Sequence, residues 1–591
     1  MKLTVLILSV SGMILSSRVF AATIRVPSDQ PTIQAGIDGA VDGDTVLVAD
    51  GTYTGVGNRD IDFKGKAITV TSENGPETCI IDCQGTETER HRGFYLHKYE
   101  SENTAVVGFT VQKGYHSYGG AIYCVNASLT ISNCIFIENK AICEGAGICL
   151  DRSSNTTIAD SAFTENAAEF GGGIYFIESN NTTIVNSIFL MNTVEMYGGG
   201  MYLDSCQDAK ISNCTFTRNA ARNGGGIDTN TGLGFDDRSS STITNCTFTE
   251  NTAEFGGGVL ISKSNSSTIT NCAFTKNTAN YGGGVYFVST IFSNISNCVF
   301  TENTAVYYGG GFVFAGHGSY TITDCITNCI FTKNTAGGVG GGIYFEFKSD
   351  SRISNCTFTE NSSNSDGGGI CSMQYADLTI SNCILWNDTP REVYFEDNNS
   401  TLTYSLIQGG YPGVGNIGST PNFIGGDPFD YRLSPYSSCI DAGTDENASS
   451  LDLDDNPRPL GGAVDLGAYE YQGFPLVSRA YVKMPSHMFY PGDKASCSVS
   501  VWNVENTTPE VCALFVVLDV FGSYYCAPSF SPFDHYSGSF QNGMTEITVI
   551  PEFIWPNAGS ASNIVWYAFL TNPEMTALAS EIGVFDFGWR K

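Results

Sequence analysis

The sequence predicts an all-β chain: a right-handed parallel β-helix of about 27 residues per coil with an N-terminal helical cap, followed by a C-terminal β-sandwich domain. Three observations carry this expectation. Asn-Cys dipeptides recur at a nearly fixed interval, glycine clusters keep the same beat, and the composition changes near residue 474. Aligning the dipeptides puts Cys134, Cys214, Cys246, Cys272, Cys298, Cys329, Cys356 and Cys383 in one column, with Ser161 and Ser187 filling two gaps. The steps are 26 or 27 residues, except for two of 32 and 31 that contain the insertions TNTGLGFDDRS and GHGSYTITDCIT. Self-similarity at a fixed period of this size means a repeat architecture.

The chain opens with MKLTVLILSVSGMILSSRVFAA, where a basic Lys2 precedes an apolar run and Val19 and Ala21 stand at −3 and −1 of a cleavage after Ala21. Residues 1–21 are therefore expected to be a secretory signal peptide. No later stretch is apolar for long enough to span a bilayer, so the mature chain is expected to be secreted or held at the cell surface without a transmembrane helix. Next, IRVPSDQPTIQAGIDGAVDGDTVLVADGTYTG offers Pro31, then Ile33, Ile37 and Val41 at helical spacing, then an apolar strand. A cap of this kind would cover the exposed sheet edge of the first coil.

One unit, STITNCTFTENTAEFGGGVLI, sets out the coil. A strand ends at Ile243, a tight turn takes Thr244-Asn245, and a second strand runs Cys246-Thr247-Phe248. A turn follows around Glu250-Asn251, and a third strand passes through Val259 and Ile261. Coils stacked at roughly 4.8 Å place identical positions in ladders. Asn tolerates the left-handed conformation of a tight turn, and stacked amides bond coil to coil. Glycines permit the bend before the third strand. Phe248 and its equivalents fill the core. Serine in the cysteine column points to a ladder of buried thiols. Cys79 with Cys83, or two among Cys497, Cys512 and Cys526, are the disulfide candidates. The residue before the second Asn runs Arg218, Glu250, Lys276, Glu302, Lys333, Glu360, an alternation that predicts cross-coil ion pairs.

The three-strand coil resembles that of the pectin lyase-like superfamily, and the units resemble repeats of its non-catalytic surface members, including polymorphic outer-membrane-type proteins. The N-terminal segment resembles the cap of pectin methylesterases. SSCIDAGTDENASSLDLDDNPRPLGGAVDLGAYEYQ, residues 437–472, resembles the closing segment of choice-of-anchor Q type β-helix proteins, which implies the end of the helix there. The expected domains are thus a β-helix over 22–472 and a β-sandwich over 473–591. Within the former, 22–110 hold the cap and first coils, 111–390 the regular repeats, and 391–472 the last coils and closing segment. In 473–591, CALFVVLDVFGSYYC, TEITVIPEFIWP and SNIVWYAFLTNPE read as longer strands.

A net charge of −31 with only 29 basic residues disfavours nucleic acid and would repel a polyanionic glycan unless calcium bridged it. Enzymes that the resemblance brings in use clustered acids with calcium and a basic residue, or neighbouring aspartates. Here the best such cluster is Asp236, Asp237 and Arg238 in the first insertion, with a solvated polar loop as the alternative. No pectin methylesterase or polygalacturonase motif is intact. Asp452, Asp454 and Asp455 have spacing that suits calcium, or simply a polar turn, and no other cofactor is expected. Aromatic residues flank the glycines: Phe170, Tyr197, Phe255, Tyr281 and Tyr308 before, and Tyr123, Tyr175, Tyr202, Tyr286 and Tyr344 after. Exposed, they would stack on sugar rings or a protein partner; buried, they would form a self-stacked ladder. An outward column (Thr215, Thr247, Ala273, Val299, Ile330, Thr357) lies beside one that is nearly all Thr, which raises a minor ice-binding alternative. The expected function is an exported, non-catalytic adhesion or structural β-helix whose partner is an extracellular polysaccharide or a surface protein. The alternative is a polysaccharide lyase or glycoside hydrolase, since fold alone does not decide function.

Overall fold

The computed structural model describes residues 21–230, 240–316, 325–347 and, with short gaps, 350–589. The expected signal peptide lies outside the described residues up to position 20. The chain divides into two compact units, residues 1–418 and 419–591. Among the described residues no helix is long and apolar enough to cross a membrane.

The first unit winds through three long parallel sheets of 15, 14 and 13 strands. A single coil contributes Ser241–Thr244, Thr247–Thr249 and Val259–Ser262, one strand to each sheet. Each pairs in register with its counterpart one coil on, Ile243 with Ile269, Phe248 with Phe274 and Val259 with Val285. Two four-stranded ribbons fill the arc before the glycines, one from Tyr115–Tyr118 to Thr193–Tyr197 and one from Thr278–Tyr281 to Ser362–Ser363. The sequence reading had this arc as turn alone.

The corners explain the repeated letters. Asn245 sits at φ 53° and Gly256 at φ 65°, both left-handed. At the middle corner the left-handed residue is Glu250, at φ 54°, and Asn251 turns inward instead. The two asparagines of one unit thus do different jobs. Asn251 is fully buried, its Nδ2 donating to Phe216 O and to Asn277 Oδ1, and the pattern repeats coil after coil. The charged column occupies the left-handed corner, and Arg218–Glu250 at 2.6 Å and Lys276–Glu302 at 3.7 Å are the cross-coil ion pairs expected of it. Inside, Phe216, Phe248, Phe274, Phe300, Phe331 and Phe358 stack face to face with centroids 4.5 to 4.9 Å apart. Each such burial stabilises by about 1.5–3 kcal/mol, with up to about 1.5 kcal/mol more for the ring pair.

Cys134, Cys214, Cys246, Cys272 and Cys298 are buried thiols in one column, and burial pushes the Cys134 thiol up to about 11. Cys79 and Cys83 are also free and buried, which overturns the pairing expected of them. Cys79 opens the strand Cys79–Asp82, and four residues of extended chain span roughly 13 Å, well beyond disulfide reach. Cys497 is likewise a buried free thiol, and the side chain of Cys512 lies outside the described residues.

The cap helix is Ile33–Gly39, with Thr32 Oγ1 accepting from Ala35 N at 3.2 Å and Ile33 and Ile37 buried. Val41 falls beyond it and is exposed, so the helical spacing stops one step sooner than the pattern predicts. In the threonine column Thr301, Thr332 and Thr359 are buried, as are Ile330 and Thr357 beside them, whereas Thr249 and Thr275 are half-buried and Thr247 is exposed.

In the second unit Ser478–Lys483, Lys494–Asn503, Cys512–Val520, Gly543–Ile554, Ala561–Thr571 and Ser580–Trp589 join one mixed sheet. Trp566, Val499, Leu514 and Leu570 form the core of that unit.

Candidate functional site

The triple glycine fixes one face of the β-helix. A Cβ on Gly257 would lie 2.3 Å from the Gly283 carbonyl oxygen of the next coil, so only glycine lets successive coils close up there. In the strand that follows, Val259 and Ile261 point into the core, leaving Leu260 and Ser262 on the outer side. Following the Leu260 position through the register gives Tyr95, Tyr123, Cys149, Tyr175, Tyr202 and Asp228 towards the N-terminus. Towards the C-terminus it gives Tyr286, Val313, Tyr344, Cys371 and Tyr394. The residue before each glycine forms a second column across the bend, in which Tyr197, Asn223, Phe255 and Tyr281 bridge in series.

The ten aromatic residues singled out by sequence gather into two groups. In the first, Tyr175 and Tyr202 pack at 5.3 Å with Phe170 and Tyr197 against them, and Tyr123 beside them. In the second, Phe255 stacks on Tyr281 at 5.1 Å and meets Tyr286 edge-on at 5.4 Å, while Tyr308 packs on Tyr344 at 4.9 Å. Tyr175, Tyr202 and Tyr344 are buried, the self-stacked alternative, and the other seven are half-buried with ring surface open. Between Tyr281, Tyr308, Tyr344 and Glu346 the second group encloses a cleft of about 270 Å³, with Phe255, Tyr286 and Val313 completing its wall.

Carboxyl groups stand among these rings. Asp204 accepts from the Tyr175 hydroxyl at 3.4 Å. Burial, then Asp151, Asp204 and Glu169, push the Glu144 carboxyl up to about 7. Asp228 occupies an aromatic position, is 1 % exposed, and has an Oδ1 without a hydrogen-bond partner. Its burial and then Asp204 hold it well above the usual carboxylate range. Burial raises Glu346 as well. The face therefore combines open ring surface with hydroxyl and carboxyl hydrogen-bonding groups.

Asp236, Asp237 and Arg238 lie outside the described residues; the strand Ile227–Asn230 leads into their insertion. Asp452, Asp454 and Asp455 are not arranged as ligands of one ion. Asp452 Oδ1 accepts from Asp454 N and Asn456 N, its Oδ2 accepts from Glu470 N, and Asp454 pairs with Arg432 at 2.6 Å. Among the described residues no group of three or more His, Cys, Asp or Glu side chains is placed to hold a metal. Sequence reasoning missed Tyr95, Glu144 and Asp228, and with them a cluster at the N-terminal end of the face: Asp60, His91, Arg92 and His116. The signal available was their density, three of the six histidines falling between positions 91 and 116.

Residues 92–232 and 173–339 match a family model described as a right handed beta helix region, and residues 355–373 match a Chlamydia polymorphic membrane protein repeat. No curated protein matches the chain. Among solved structures, the A-module of mannuronan C-5 epimerase AlgE6 from Azotobacter vinelandii is similar at 13 % identity and TM-score 0.36, covering 66 % of this chain and 94 % of that one. A PL6 family alginate lyase, AlyGC, is similar at 12 % identity and TM-score 0.43, covering 80 % and 61 %. Tailspike protein 2 of Escherichia coli O157:H7 bacteriophage CAB120 is similar at 10 % identity and TM-score 0.25, covering 97 % and 69 %. The in-register parallel sheets and the repeat matches together identify this chain as a right-handed parallel β-helix repeat protein.

Proposed function

We propose that this is a surface or extracellular β-helix protein that binds glycan along the aromatic face of its third sheet. The observation that carries the reading is the cleft between Phe255, Tyr281, Tyr286, Tyr308 and Tyr344, with Glu346 at its edge. Flat rings open on one side offer apolar area to the faces of a sugar, and hydroxyls and a carboxyl offer partners to its hydroxyl groups. The strongly negative chain favours a mainly neutral glycan over a polyanion. The match of residues 355–373 to a repeat of polymorphic membrane proteins supports a surface location. Titration calorimetry with a panel of neutral oligosaccharides tests this. A Phe255→Ala/Tyr281→Ala double variant is expected to bind roughly tenfold or more weakly. An unchanged affinity in a double variant that unfolds at the same temperature would overturn the reading.

A second reading, cleavage of the bound glycan, is favoured by Glu144 and Asp228. Carboxyl groups that stay protonated near neutral pH are what a general acid requires. Release of reducing ends that stops in Glu144→Gln or Asp228→Asn would establish it, and binding without any release would exclude it.

A further inference from the structure

At the N-terminal end of the face a cation is buried whose guanidinium makes no ion pair with a carboxylate, although the charge of Asp60 stands near it. Asp60 organises the turn: its Oδ1 accepts from the Arg92 backbone N–H at 3.0 Å and its Oδ2 from His91 Nδ1 at 2.7 Å. His91 also exchanges backbone hydrogen bonds with Tyr115, at 2.8 and 3.0 Å, which brings His116 beside the Arg92 side chain. Arg92 is only 6 % exposed, and its guanidinium carbon lies 5.0 Å from the Tyr95 ring centre and 5.1 Å from that of Tyr123. Its Nη2 donates to His116 Nδ1, and Ser117 N donates to the same nitrogen at 2.9 Å. A ring nitrogen that accepts twice carries no proton, so His116 is neutral and carries its proton on Nε2. Burial and the neighbouring guanidinium also hold its pKa down to about 4. Arg92 Nη1 has no partner, and no carboxylate among the described residues forms an ion pair with it. Burying a charge without pairing it carries a heavy penalty, and structures that keep such a charge do so where something else neutralises it.

We propose that Arg92, with His116 and the rings of Tyr95 and Tyr123, receives the single carboxylate of an otherwise neutral saccharide. The planar guanidinium matches a carboxylate edge, and the neutral His116 adds a second donor without adding charge. The rings of Tyr95 and Tyr123, 5.6 Å apart and 5° from parallel with His97 stacked on Tyr95 at 4.0 Å, hold the guanidinium, and the exposed Tyr118 provides apolar surface for the sugar that carries the acid. One carboxylate, not many, fits the charge of the face: Asp151 and Asp204 follow within the next coils and would repel further acidic sugars. The inference rests on reading this face as glycan-binding and adds an acidic terminal unit to that glycan.

The test uses the full chain labelled with ¹⁵N-histidine and titrated with glucuronate, glucose and inorganic phosphate, each followed at the His116 ring nitrogens. Glucuronate is expected to shift them and glucose to leave them unmoved. In Arg92→Met the glucuronate affinity is expected to fall roughly 10- to 100-fold, the weight of a charge-assisted hydrogen bond. The apolar isostere is expected to unfold no lower than the parent protein, since it removes an unpaired buried charge. Arg92→Lys, which keeps the charge but loses the planar fork, should retain part of the binding and guards against a variant that fails to fold. Equal shifts with glucose, phosphate binding as tightly as glucuronate, or an unchanged glucuronate affinity in folded Arg92→Met would each overturn the proposal. Neutral oligosaccharides titrated against the same variants keep the two ideas apart. If they bind at Phe255 and Tyr281 while glucuronate does not bind, the carboxylate site falls and the glycan reading stands; the reverse result removes the cleft at Phe255 and Tyr281 and leaves an acid-sugar site at Arg92.

Discussion

Replacing Asn277 by Ala removes one rung of the internal amide ladder, and its cost follows from the contacts. Asn277 Oδ1 accepts from Asn251 N and Asn251 Nδ2, both at 3.0 Å. Its Nδ2 donates to Phe248 O at 2.8 Å and to Asn303 Oδ1 at 2.9 Å. Alanine deletes all four bonds. Asn251 Nδ2 keeps its bond to Phe216 O, and Asn303 Oδ1 keeps the Asn277 backbone N–H. The Asn251 backbone N–H and the Phe248 carbonyl lose their amide partner in a fully buried setting. At about 1–3 kcal/mol for each orphaned buried group, the expected loss is about 3–5 kcal/mol once the small cavity is added. Urea unfolding reads it as a lower midpoint at unchanged slope. The matched control is Asn271→Gly: Asn271 is exposed at φ 54°, a conformation glycine adopts without strain, so the change should stay within about 0.5 kcal/mol. Equal losses from the two substitutions would refute the separate roles given to the two asparagines.

Three further outcomes follow from the same geometry. Cys272→Ser should cost less than about 1.5 kcal/mol in thermal unfolding, because Ser161 and Ser187 already occupy this column, whereas Cys272→Leu should overpack it by about 1–3 kcal/mol. Gly257→Ala should prevent folding or cost several kcal/mol, since its Cβ would meet backbone of the next coil, and a soluble variant with unchanged unfolding would contradict the bend. Burial raises Glu144 from 4.5 to about 7 in the folded chain, so the fold binds the extra proton; its stability contribution is present below about 4.5 and is lost as pH rises through 7. Glu144→Gln should flatten that part of the stability–pH curve, and an identical slope in the variant would exclude the shift.

The repeat made most of the β-helix legible. Period, corner residues, core phenylalanines and the charged column can be read from one unit, because in-register stacking turns each position of STITNCTFTENTAEFGGGVLI into a ladder. The pattern could not separate Asn245 from Asn251: both are Asn at corners, and only burial tells a left-handed surface residue from an inward amide. The aromatic columns were visible, but not that Tyr175 and Tyr202 sink while Phe255 and Tyr281 line a cleft, which depends on neighbours from adjacent coils. Arg92, His91 and His116 were harder still. Before residue 111 the Asn-Cys beat is absent, so nothing in the sequence aligned Tyr95 with Tyr123 or set Asp60 beside His91, 31 positions away. The Cys79–Cys83 pairing failed because sequence proximity ignores the length of an extended strand. In the second unit the strands could be read from their composition, and their layering could not.

A crystal structure of the protein with a bound neutral oligosaccharide tests the central claim most directly. The account predicts sugar rings against Phe255, Tyr281 and Tyr286, with hydroxyl groups directed to Glu346. A saccharide seated instead on the second sheet, over Thr215 and Thr247, would contradict it.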